Sequence, residues 1–95
     1  MELNFPRLVV DLEPCNVLFL SEPYPVLLKT GFTVAADVIL KKGMKKTEMT
    51  LLIAAQSIAF VLKEKMTDNG GRLSGIQLWI YKAGTEKSSK YILEE

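Results

Sequence analysis

Residues 47–66, TEMTLLIAAQSIAFVLKEKM, form the densest apolar run in the chain, and their reading decides the fold class. At about 100° per residue, Leu51, Leu52, Ala55, Ile58, Ala59, Leu62 and Met66 fall on one apolar arc of roughly 120°. Thr47 is an acceptable N-cap, Glu48 suits the first turn, and Lys63 and Lys65 suit the last. Asp68-Asn69-Gly70-Gly71 follows, and Asn and Gly readily take the left-handed conformation that ends a helix. The pattern predicts one long buried helix over 47–66.

The flanking segments read as strands. Phe5 to Leu12 has apolar and β-branched content, with Pro6 favouring an edge or a strand start. Asn16 to Leu20 is a second short run, closed by Ser21-Glu22-Pro23-Tyr24-Pro25, where two prolines remove donors and keep the chain extended. Val26 to Leu40 fits either period. Thr30-Gly31 looks like a turn between two strands, whereas Val34, Ala35, Val38 and Ile39 also recur at helical spacing with Gly43 as a stop. The strand reading is preferred. Leu73 to Lys82 alternates, with Ile76, Leu78 and Ile80 on one face and Gln77, Trp79 and Tyr81 on the other. The tail over 86–95 reads as a loose end or, through Tyr91-Ile92-Leu93, as an edge strand.

These elements predict a single α+β domain over 1–95, two layers deep. An antiparallel or mixed sheet of four to six strands carries the 47–66 helix on one face. The length fits one domain, and a chain this short buries only about 60–65% of its unfolded surface.

Composition removes several chemistries. The chain has no histidine, so it lacks the side chain best suited to proton transfer near neutral pH and the commonest metal ligand. Its single cysteine, Cys15, can build neither an internal disulfide nor a Cys-rich zinc site, which fits a reducing, cytoplasmic setting. A buried or partly buried, inert thiol is the expectation for it. The start, Met1-Glu2-Leu3-Asn4, has no basic targeting region, and Leu51 to Leu62 is far short of the roughly 20 apolar residues a membrane span needs. Ser21, Ser57 and Ser74 have no base partner, so no nucleophile, catalytic residue, metal site or cofactor is assigned. Asp11 and Glu13 alternate, and as a strand would point to one side, where ordinary surface charge outweighs acid–base work.

Two groups of residues suggest binding. Met49, Ile53 and Phe60 fall opposite the apolar arc of the helix, among Thr50, Gln56, Ser57 and Glu64. A two-layer monomer would leave them in water, which makes them a candidate interface with a second copy or another protein. Lys41, Lys42, Lys45 and Lys46 cluster in one turn beside the predicted helix start. With Arg72, and with Trp79 and Tyr81 on the aromatic strand over 76–82, they form a candidate anion or nucleic-acid contact. The turn is not a Walker A loop, since Lys45 stands directly before Lys46-Thr47, where that motif needs a glycine. A net charge of +1 means that only such a local cluster could attract a polyanion. The leading reading is therefore a non-catalytic, self-associating interaction module. A nucleic-acid binder comes second, and a small enzyme using a carboxylate and lysine site between subunits comes third.

Overall fold

A computed structural model describes residues 3–86 and 89–95. Six strands and one helix follow in the order β1 (Cys15–Phe19), β2 (Tyr24–Leu28), β3 (Gly31–Lys42), β4 (Lys45–Leu52), α1 (Gln56–Asp68), β5 (Gln77–Lys82) and β6 (Tyr91–Glu94). All pairings between them are antiparallel. Met1-Glu2 and positions 87–88 of the expected tail lie outside the described residues, and the rest of that tail supplies β6 at the sheet edge.

β3 is the spine. One edge pairs with β4 along Ala35–Lys42, and the other takes β1 against Val38–Lys41 and β2 against Gly31–Ala35. β1 and β2 are thus one interrupted strand. Five steps from Phe19 to Tyr24 match three from Val38 to Ala35, and Ser21-Glu22-Pro23 absorbs the excess as a bulge. β5 pairs with β1, and β6 with β5.

The long helix over 47–66 is not what forms. Lys45–Leu52 is strand β4, and the helix begins nine residues later than Thr47, at Gln56, with Ala55 rather than Thr47 at its N-cap. The reason lies in Gly43. With φ of +62° it closes a two-residue loop with Met44, which sets Lys42 opposite Lys45 and zips β4 onto β3. Thr47, Met49 and Leu51 then alternate with Lys46, Glu48, Thr50 and Leu52, a period-2 pattern concealed within the helical one. The predicted C-terminal stop does form: the amides of Asn69 and Gly71 bond to the carbonyl of Met66 at 3.0 and 2.7 Å, with Gly70 and Gly71 at positive φ. No helix among the described residues is long and apolar enough to cross a membrane.

The main core lies between α1 and one face of the sheet. Ile58 and Leu62 of the helix meet Val17, Phe19, Ala36, Val38, Leu51, Leu78, Ile80 and Leu93. Each fully buried large side chain contributes about 1.5–3 kcal/mol. Leu73, fully buried in the link before β5, plugs the same core. The expected strand over 5–12 does not form. Pro6 cannot donate, and only Arg7 bridges, in parallel, to Thr50: the Leu8 amide donates to the Thr50 carbonyl and the Thr50 amide to the Pro6 carbonyl, both at 2.8 Å. Leu8 closes the core from that side.

A small second cluster lies on the opposite face: Val26, Ala35 and Leu52, lined by Leu3, Tyr24 and Leu28. Beside it Asp37 is buried with no cation paired to it among the described residues. Its carboxylate accepts bonds from Tyr24 Oη at 2.5 Å, Asn4 Nδ2 at 3.0 Å and Thr50 Oγ1 at 3.2 Å. Burial, then the bond to Asp37, push the Tyr24 hydroxyl above its usual range. This network pins the N-terminal segment across β4.

Candidate functional site

The predicted stripe of Met49, Ile53 and Phe60 is not one surface. Met49 belongs to β4 and Ile53 to the link after it, and both are half-buried against the main core. Only Phe60 stands on the outer side of α1, 68% exposed. Thr50, expected on a solvated helix face, is fully buried.

A different apolar surface replaces it. β2 pairs with no strand except β3, and the two form an arm that extends past the helix. Alternation puts Phe32 and Val34 on the same face as Ala36 and Val38, but beyond the reach of α1. Leu27 stands directly opposite Phe32, and Pro25 opposite Val34. Phe32 is 79% exposed and Leu27 48%. The other face of the arm is covered, with Val26 and Leu28 lying against Leu52 and Leu3.

The lysine turn is the tip of the β3–β4 hairpin, and alternation splits it. Lys41 and Lys46 oppose each other on the sheet face away from the helix, whereas Lys42 and Lys45 lie on the helix side. Across that open face one cross-strand row runs Glu94, Trp79, Asn16, Lys41, Lys46. Leu18 and Ile39 are half-buried on the same face, and Gln77 Nε2 donates to Asn16 Oδ1 at 2.6 Å. Tyr81 also faces this way, but its hydroxyl is held by Glu94 at 2.7 Å, which raises its pKa. Arg72 does not join them. It sits in the link between α1 and β5, beside Glu22. Among the described residues the one ion pair is Lys65–Glu95 at 3.2 Å, so none of the four hairpin lysines is neutralised by a carboxylate there.

A pocket of about 210 Å³ lies where Asp11, Glu13, Cys15, Leu40, Lys41 and Lys42 meet. Asp11 and Glu13 do not alternate along a strand. Asp11 Oδ1 instead accepts the Glu13 amide at 3.0 Å and shapes a turn. Burial, reinforced by those two carboxylates, raises the Cys15 pKa, so the thiol stays protonated near neutral pH and is a poor nucleophile. Among the described residues no three His, Cys, Asp or Glu side chains cluster as a metal site.

Sequence reasoning missed the arm, although a signal was present: Leu27 and Phe32 flank Leu28-Lys29-Thr30-Gly31 at positions that a two-residue hairpin brings face to face. The chain matches no family model, no curated protein and no solved structure.

Proposed function

We propose that the chain is a non-catalytic interaction module that self-associates through the bare face of the β2–β3 arm. The observation that carries this reading is the Leu27–Phe32 pair, two large apolar side chains in register and open to water. A two-stranded hairpin is marginal on its own, and this one has cover on one face only. Burying a side chain of this size contributes about 1.5–3 kcal/mol, and a small domain gains by sharing a core with a second copy. Pro25, Leu27, Phe32 and Val34 include no charge, so two identical patches can meet about a two-fold axis without opposing like charges.

Sedimentation velocity across a hundredfold concentration range tests this. The unmodified chain is expected to shift from monomer to dimer, and the double variant Leu27→Ser, Phe32→Ser to remain monomeric with unchanged far-ultraviolet circular dichroism. A monomer throughout for the unmodified chain overturns the proposal.

A further inference from the structure

We infer that the helix-free face of the sheet binds single-stranded nucleic acid, with a base stacked on Trp79 and phosphates held by Lys41 and Lys46. This site lies on the opposite face from the Leu27–Phe32 patch and is independent of self-association.

The first support is the exposure of Trp79. Trp79 stands on β5, inside the edge strand β6, yet it is 45% exposed, with Asn16 on one side and Glu94 on the other. Stacking on such a ring is tolerant of sequence, because every base has a π-face. In the next row Leu18 and Ile39 supply apolar floor beside it, between Gln77 on β5 and Glu48 on β4.

Charge gives the second support. Strands lie about 4.8 Å apart, so Lys41 is two strands from Trp79, roughly 10 Å, and Lys46 three, roughly 14 Å. Both are within side-chain reach of the backbone of a strand whose base covers the indole. Glu94 stands on the other side of Trp79 and is occupied by the Tyr81 hydroxyl. The row is therefore positive toward β4 and negative toward β6, and Glu48, next on β4 on this face, confines the phosphates to the Lys41–Lys46 end. A duplex keeps its bases stacked inside and cannot offer one to Trp79, so the ligand is single-stranded.

Trp79 is the one tryptophan in the chain, so its emission reports on the site directly. Titration with an oligothymidylate at low salt should quench it, and heparin, which carries charge without bases, should not. Trp79→Ala should weaken binding of a labelled oligothymidylate by about fivefold or more, with Trp79→Phe intermediate, as loss of a stacking contact of about 1–3 kcal/mol requires. Lys41→Gln with Lys46→Gln should lower the slope of log affinity against log salt by about 1.4, near 0.7 for each phosphate contact on a single strand. Absence of binding at low salt overturns the inference and leaves this face to a protein. Equal affinity for Trp79→Ala, or equal quenching by heparin, overturns it as well.

Discussion

Glu22 and Leu73 stand 51 residues apart, and the carboxylate of the first holds the backbone amide of the second at 2.7 Å. The other oxygen of Glu22 takes the Ser74 amide at 3.0 Å. The bulge between β1 and β2 thereby anchors the link that carries Leu73 into the core. These two amide bonds pull the Glu22 carboxyl below its usual value of 4.5. A group whose pKa is depressed by folding stabilises the fold above its unfolded pKa, and that contribution fades as pH falls through the folded value.

Glu22→Gln should therefore lower the denaturant midpoint at pH 7, because an amide nitrogen would face one of the two N–H groups. The gap between variant and unmodified chain should close as pH falls below about 4.5. Equal midpoints at pH 7 would mean that the carboxylate contributes nothing.

Thr50→Val tests the polar network on the opposite face. Thr50 Oγ1 accepts the Phe5 amide at 3.1 Å and donates to Asp37 at 3.2 Å, both lost in an isosteric valine. Leaving buried partners unpaired costs about 1–3 kcal/mol. Faster hydrogen exchange at the Leu8 amide, which bonds to the Thr50 carbonyl, should accompany the loss. A cost well under 1 kcal/mol would fit the solvated helix position that the helical reading of 47–66 assigns to Thr50.

How far the sequence carried the fold depends on the range of the interactions involved. The strand at Gln77–Lys82 and the stop at Asn69–Gly71 were legible because alternation and glycine backbone freedom are local. The identity of Lys45–Leu52 was not. Its side chains satisfy both periods, and only pairing with β3, a long partner, selects the strand. The two candidate sites followed suit. Trp79 and Lys41 share a face because two separate registers, β5 to β1 and β1 to β3, align them. The Ile53–Phe60 stripe vanished with the helix that would have carried it.

Gly43 makes that selection testable. Its φ of +62° is a left-handed conformation, and no atom lies within 4 Å of where a Cβ would stand, so a substitution meets backbone strain alone. Gly43→Val should cost about 1–2 kcal/mol. An unchanged denaturant midpoint for this variant would rule out the two-residue loop.

Pro25 guards the free edge of the arm. The Val34 carbonyl bonds to the Ile53 amide, so the polar groups of Val34 face β4, and Pro25, directly opposite, sits at a non-hydrogen-bonded position of the β2–β3 ladder. Its missing N–H would have pointed outward, where an incoming strand would seek it. Proline at such a place blunts an edge against strand addition. Pro25→Thr restores the donor without touching the β2–β3 ladder. The expected outcome is growth of large β-rich species, followed by light scattering and by the infrared band of intermolecular strands, at concentrations where the unmodified chain forms none. The Leu27→Ser, Phe32→Ser double variant with Pro25 retained should form none either, which separates association through the face of the arm from association through its edge. If Pro25→Thr stays as small as the unmodified chain at every concentration, the edge is guarded by something other than this residue.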